Sequence, residues 1–217
     1  MIQRLVHCLL IVDLYLPLMN NVLSLHYLPN VLWMSYFLTY DCTIDVHEHY
    51  IKQSYRNRCV ILSANGPLAL TIPVKKTAPK MPVHQLEADP TVSWQRQHWE
   101  SIKAAYGSSP YFIHYAPYFE PLFIKEVTSL MTFEIDLLKL ITKLLKVEVV
   151  HKLSEHFIET KDEMDLRKVI SPKVKPAAEF SPYLQVFNEK FGFVPNLSII
   201  DLLFNYGPRA KEYLLQL

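Results

Sequence analysis

The sequence predicts a mixed α/β fold: a single domain with a β-rich N-terminal half that includes a hairpin, and a more helical C-terminal half. Three observations carry that expectation. Two strand-like runs, Val60-Ile61-Leu62 and Leu68-Ala69-Leu70-Thr71-Ile72, are joined through Ala64-Asn65-Gly66-Pro67. Asn-Gly between such runs signals a hairpin, because both residues tolerate positive φ. Thr132 to Lys146 sets Ile135, Leu138, Ile141, Thr142 and Leu145 near one stripe, the pattern of an amphipathic helix. Ser93 and Gly107 bracket a second helical run, Trp94 to Tyr106, as N-cap and C-terminal stop.

The remaining elements follow in chain order. Residues 1–18 are apolar with one early cation, Arg4, and Asp13 interrupts them. They are too short to span a bilayer and lack a small-x-small cleavage pattern. They read as an upstream extension, with Met19 as the native start and 19–217 as the domain; a membrane anchor or export signal is the rival reading. A strand, Val22 to Tyr27, ends at Leu28-Pro29. Asn30 caps a helix from Val31 to Tyr40, whose Trp33, Phe37 and Tyr40 recur at core spacing. Thr43 to Val46 is a second strand, and Val83 to Leu86 returns as another. Ser108 to Pro121 reads as a proline- and aromatic-rich connection, Val147 to Val150 as β-like, and Glu159 to Lys175 as charged, exposed and mobile at its centre. Asn196 to Asn205 is a capped helix stopped at Gly207, and Pro208 opens a terminal one.

Composition bounds the function. The chain has 217 residues, the size of one ordinary domain. Half of it is hydrophobic and 20% is charged, with a net charge of +1, so no global field favours nucleic acid or an anionic membrane. Any anionic ligand must be held by a local cluster. Cys8, Cys42 and Cys59 are odd in number and lack CxxC spacing, which suits a reducing, cytoplasmic setting. The nine histidines are scattered. His47 and His49 share a strand face, but no partners at ligand spacing accompany them, so no metal site is expected. None of the four glycines falls in a GxGxxG or GxxxxGK[ST] pattern, so no nucleotide loop is expected and no cofactor is specified. Nothing in the pattern sets an oligomeric state.

Tyr50-Ile51-Lys52-Gln53-Ser54-Tyr55-Arg56-Asn57-Arg58-Cys59 is the most informative stretch. Cations, carboxamides and phenols gather just ahead of an apolar strand, as where an edge delivers polar groups to a pocket. A guanidinium fork such as that of Arg58 suits phosphate or carboxylate. The plainer reading is solvated charge that protects an edge strand from aggregation. On the Trp94 helix, Arg96, Trp99, Lys103 and Tyr106 form a cationic-aromatic stripe opposite Trp94, His98, Ile102 and Ala105. Such a stripe fits a phosphorylated sugar or nucleotide, or else a solvated face with cation–π pairs. His98 is a hydrogen-bonded core histidine or a general base. Ser198 and Asp201 have capping-box spacing, while Asp201 and Asn205 share a face among apolar residues. Asp201 is a partner for Arg58 or an orienter of His98, and a salt-bridge role outweighs acid–base chemistry. Cys59, beside Arg58, reads first as a small buried hydrophobe and second as an activated nucleophile.

Several of these residues carry a family resemblance. Tyr27-Leu28-Pro29, the Tyr50–Arg58 segment with its Asn57-Arg58 pair, and Leu70-Thr71-Ile72-Pro73-Val74 resemble the WbqC-like protein family. So do Trp94, His98 and Ile102, then Ala105-Tyr106-Gly107, Ser109-Pro110-Tyr111-Phe112 and Tyr115. The run from Phe193-Val194-Pro195-Asn196-Leu197-Ser198 through Asp201-Leu202-Leu203-Phe204-Asn205 to Gly207-Pro208 is the most specific block. The resemblance spans about Met19 to Gln216.

It implies a link to bacterial polysaccharide and O-antigen gene clusters, and so work on activated or amino sugars, with no defined mechanism. The chain departs from the family at two places. Many members begin with His-Gln-Pro where this chain has Leu25-His26-Tyr27-Leu28-Pro29. Longer members carry a Tyr-Leu-Ser-Gly segment where this chain has the short charged stretch around Asp165-Leu166-Arg167; if that segment completes the site, either the activity differs here or the stretch takes over its role. Two functions follow as expectations. One is an enzyme of surface-polysaccharide biosynthesis (O-antigen or lipopolysaccharide) transferring or ligating a group onto a nucleotide-linked or amino sugar. Its catalytic candidates are His98 and Asp201, and its binding candidates are Asn57, Arg58, Arg96, Lys103, Tyr106 and Asn205. The other is a non-catalytic scaffold of the same pathway. An enzyme would bring Asn57, Arg58, His98 and Asp201 to one cavity, whereas a scaffold would disperse them and expose an apolar patch.

Overall fold

The computed structural model describes residues 21–148, 152–159 and 165–217. Strand β1 (Asn21–Ser24) and strand β2 (Cys42–Asp45) run parallel, in register from Asn21 opposite Cys42 to Ser24 opposite Asp45. Parallel pairing requires a crossover. Helix α1 (Val31–Thr39) supplies it, started by the Asn30 side chain, which accepts from Trp33 N at 2.9 Å. Such a cap contributes about 1 kcal/mol. Trp33 and Phe37 are buried as expected, but Tyr40 lies past the last turn and is exposed. The helical spacing that groups it with the others stops one residue too soon to reach it.

After Thr71 the chain turns irregular and then helical. The next strands are the hairpin, β3 (Arg58–Ser63) and β4 (Gly66–Thr71), antiparallel with Ser63 opposite Gly66. Its turn ends on Gly66 at φ 104°, a backbone that residues with a Cβ rarely adopt. Three longer helices pack next: α2 (Trp94–Tyr106), α3 (Phe112–Ile124) and α4 (Leu130–Leu144). Strand β5 (Lys152–Leu153) adds to the far edge of β2 in parallel. On the free edge of β1, Asp165 bridges Val22 in parallel and Leu166 N donates to Val22 O at 2.9 Å. Short helices α5 (Asn188–Phe191), α6 (Ile199–Tyr206) and α7 (Ala210–Leu215) close the chain. Val31 N donates to Leu197 O at 3.0 Å and Ile199 N to Pro29 O at 2.7 Å, so the C-terminal block is bonded to the start of α1.

The mixed fold and its division into a strand-rich first half and a helical second half are as the sequence predicts. Several elements differ. The first two strands stop at Ser24 and Asp45, which leaves His26 and Tyr27 beyond the sheet edge. Tyr50 to Asn57 is a run of turns, and strand geometry begins only at Arg58. The proline-rich connection is helix α3, with Pro117 and Pro121 inside it. Each proline removes one backbone donor, but Phe119 and Phe123, one turn apart, are buried and hold the helix against the core. Val83–Gln85 is a 3₁₀ turn rather than a strand.

Ser93 makes no side-chain cap bond. Ser198 Oγ donates instead to Leu28 O at 2.9 Å, which replaces the expected capping box with a tie to the β1–α1 loop. Asp165 and Arg167 are buried, against the exposed segment expected there, because each neutralises the other. Val147 and Glu148 lie outside any strand. The expectation of an extension over 1–18 falls outside the described residues.

Candidate functional site

Strands β1, β2 and β5 and the Asp165 bridge all point the same way, so their carboxyl ends meet along one edge. In open parallel sheets that edge is where ligands bind. Here it is lined by buried charge. Asp45, fully buried at the end of β2, accepts from His47 N at 2.9 Å and Ser154 Oγ at 2.9 Å. Its other oxygen accepts from Ile158 N at 3.2 Å and from the Arg167 guanidinium. Arg167 also grips Asp165 at both oxygens, at 2.8 and 2.7 Å. Its guanidinium carbon lies 5.1 Å from the centre of the Phe157 ring.

Beside this triad, Arg56 donates to both oxygens of Glu48, at 2.9 Å from Nε, and to Ser24 Oγ at 2.9 Å. Burial pushes the Glu48 carboxyl up, and the Arg56 guanidinium works against that rise. For Asp165 the balance reverses. Burial would raise it, but the Arg167 bonds outweigh burial and hold it below the usual carboxylate range. A buried pair of this kind is weak evidence for stability, since desolvation offsets attraction.

A second polar group lies inward of Arg56. Tyr27 OH and His98 Nδ1 are 3.0 Å apart, both buried. Burial lowers His98 to about 4 while the Thr71 carbonyl attracts a ring proton, so at neutral pH His98 is an uncharged imidazole whose Nδ1 accepts from Tyr27. Burial raises Tyr27, and Cys59 and Glu134 add to that rise.

Glu134 on α4 is 1% exposed, and neither of its oxygens has a hydrogen-bond partner among the described residues. Burial pushes it well above the carboxylate range, with Arg56 only partly countering. Burial thus favours its protonated, uncharged form. Asn57 donates to Ile72 O at 2.8 Å while its Oδ1 is unpartnered, and buried His26 has an unpartnered Nδ1. Native interiors leave few such atoms. Burial raises the half-buried Tyr50 phenol; Arg58, Arg56 and Asn57 work against that rise and Glu134 adds to it.

The structure brings three of the sequence-predicted residues together around the end of β4. Arg58 Nε donates to Thr71 Oγ1 at 3.1 Å, His98 interacts with the Thr71 carbonyl, and Asn57 bonds Ile72 O. The others lie elsewhere. Arg96 and Lys103 flank Trp99 along a surface groove of about 450 Å³, with Lys103 paired to Glu100 at 2.8 Å. Trp99 itself is buried, its Nε1 donating to Glu120 at 3.0 Å.

Tyr106 is not part of that stripe. It is fully buried and accepts from Leu62 N at 3.2 Å, because the last turn of α2 rotates it toward the hairpin. Asp201 neither pairs with Arg58 nor orients His98. Its carboxylate accepts from Tyr183 OH at 2.6 Å and Gln185 Nε2 at 2.8 Å, which anchors the segment before α5 to α6. Asn205 bonds the Asp201 carbonyl at 2.8 Å on the same helix. Cys59 is buried, which pushes its thiol up, so it packs as a small hydrophobe.

Sequence reading missed Glu48 and Glu134, and it named Tyr27 and Arg56 within its motifs but not as site residues. One signal was present: Glu134 interrupts an otherwise apolar stripe of Leu130, Phe133, Leu137, Leu138 and Ile141. Among the described residues, no group of three or more His, Cys, Asp or Glu is arranged to hold a metal ion. Nor is any described helix long and apolar enough to cross a membrane.

Comparison with known proteins bears on the same residues. A curated relative, the uncharacterized protein Rv1507c of Mycobacterium tuberculosis, is 24% identical, with 87% of this chain and 91% of that protein aligned. No solved structure matches the chain. The model of the WbqC-like protein family matches residues 25–175. That span is more than half of the chain and contains Tyr27, Arg56, Asn57, His98, Glu134 and Arg167, and the chain belongs to the WbqC-like protein family.

Proposed function

We propose that this protein is a cytoplasmic enzyme of bacterial surface-polysaccharide biosynthesis, transferring or ligating a group onto a nucleotide-linked or amino sugar. Family membership supports the pathway. The observation that carries the site is the set of buried, unfilled hydrogen-bonding atoms on Glu134 and Asn57, beside the Tyr27–His98 pair at the carboxyl edge of a parallel sheet. A polar substrate would complete those bonds. Arg58, half-buried at the start of β3, suits the anionic part of the ligand. The Tyr27–His98 pair takes the acceptor's proton as a relay, the Tyr27 oxygen receiving it while the Tyr27 proton passes to His98 Nδ1.

The test is a thermal-shift screen of nucleotide sugars, free nucleotides and amino sugars against the wild type and Arg58→Ala. A ligand at a hundred times its Kd adds about 2.7 kcal/mol of stability. A nucleotide sugar that raises the melting temperature of the wild type and much less that of the variant supports the reading. No shift with any ligand, in a folded protein, removes it.

A second reading, the non-catalytic scaffold, is favoured by one observation. Ile113 and Ile124 lie eleven residues apart on one face of α3 and are 74% and 75% exposed. Apolar side chains so displayed suit a partner protein. Exchanging both for serine leaves ligand shifts intact if the protein is an enzyme, and abolishes partner capture if it is a scaffold.

A further inference from the structure

Three of the unpartnered atoms around the site are oxygens, both of Glu134 and Oδ1 of Asn57. With Glu134 ionised all three are acceptors, and a ligand that donates completes them. The buried charges point the same way. Asp45, Glu48, Asp165 and Glu134 are four carboxyl groups facing two guanidiniums, Arg56 and Arg167. Both guanidiniums are already engaged: Arg56 by Glu48 and Ser24, Arg167 by Asp45 and Asp165. Glu134 is the carboxyl left without a cation.

Resting on the reading above, we propose that Glu134, with Asn57 Oδ1, receives a primary amine of the sugar substrate as its ammonium ion. An ammonium carries three N–H donors, and three acceptor atoms stand unfilled. Removing the compact charge from water is offset only by a partner of opposite charge, which Glu134 becomes on ionising. Half-buried Tyr50 interacts with both Asn57 and Glu134. An N-acetylated sugar presents one N–H and no charge, so it cannot satisfy the same atoms.

A proton must be accounted for. Burial favours the protonated form of Glu134, whose electrostatic neighbours are Arg56, Tyr27 and Tyr50. A ligand that arrives as the ammonium ion and binds an ionised Glu134 displaces that proton to solvent, one per molecule bound. A hydroxyl ligand bonding the neutral acid releases none.

The experiment is titration calorimetry of the full chain in two buffers of different ionisation enthalpy. The ligands are UDP-linked 2-amino- and 4-amino-hexoses, each beside its N-acetylated counterpart. The expected result is that an amino form binds with about one proton released, and at least about 30-fold more tightly than its acetylated form, the worth of a buried charge pair. Glu134→Gln, which keeps the size of the neutral acid, should abolish both the preference and the proton release while retaining the wild-type melting temperature. Equal binding of amino and acetylated forms, or amine binding without proton release, overturns the ammonium assignment and leaves the sugar-enzyme reading standing. Binding of neither form overturns both. The proton count is read on the wild type, so the test holds even if the variant folds poorly.

Discussion

Replacing Glu134 by methionine should make the protein more stable, not less. The carboxyl is 1% exposed and neither oxygen is bonded, so even uncharged it forgoes about 1–3 kcal/mol of hydrogen bonding that it keeps in the unfolded chain. Methionine has nearly the same length and no such cost. The sign of the pH effect follows from the direction of the shift. Burial raises the folded-state value above the unfolded one, so the folded protein holds its proton longer. The contribution of Glu134 is therefore most favourable below the ordinary carboxylate value. It is lost as pH rises toward the folded value, at up to about 1.4 kcal/mol per pH unit.

The Met variant should exceed the wild type by about 1–3 kcal/mol near pH 5, and the gap should widen at higher pH. Urea unfolding followed by fluorescence of Trp33, Trp94 and Trp99 at pH 5, 6, 7 and 8 measures this directly, with the slope against urea checking that the unfolded state is unchanged. A Met variant that is equally or less stable, with a gap that does not move with pH, would show that Glu134 is satisfied in the folded protein and refute the argument. The gain should come with loss of ligand binding, the usual trade at a site held in an unfavourable state.

Two other predictions follow from the same edge of the sheet. Arg167→Ala leaves Asp45 and Asp165 buried without their cation and should cost about 3–5 kcal/mol in chemical denaturation, whereas a cost under 1 kcal/mol would mean that solvent reaches Asp45. His98 is lowered to about 4, so protons favour the unfolded state between roughly pH 6.5 and 4. Its share of stability should fall by up to about 3 kcal/mol on acidification through that window, and His98→Phe should remove that slope when the two pH profiles are compared.

How far the sequence reached differs by kind of feature. Local signals were legible. Asn30, the Asn65-Gly66 turn and the α2 and α4 periodicities mark elements close to where they occur, because caps, positive φ and helical spacing depend on neighbours in the chain. Where packing competes with propensity, reading along the chain fails. Pro117 and Pro121 argue against a helix, yet Phe119 and Phe123 bury against the core and α3 forms. Tyr106 falls on the cationic stripe by spacing, yet the hairpin receives its hydroxyl.

The candidate site divides in the same way. Asn57, Arg58 and His98 were visible as polar residues in apolar surroundings, and they do meet at Thr71 and Ile72. Asp201 looked equally suitable, but its partners, Tyr183 and Gln185, are supplied by a segment that no spacing rule connects to it. The chain by itself determined the capped and periodic helices, the hairpin and the family to which it belongs, since these are written in short-range pattern. Only the tertiary structure decided which charges are spent. Arg56 finds Glu48 and Ser24, Arg167 finds Asp45 across 122 residues, and Glu134 finds no partner. Pairing in a low-dielectric interior is set by distance in space, which hydropathy along a sequence does not encode.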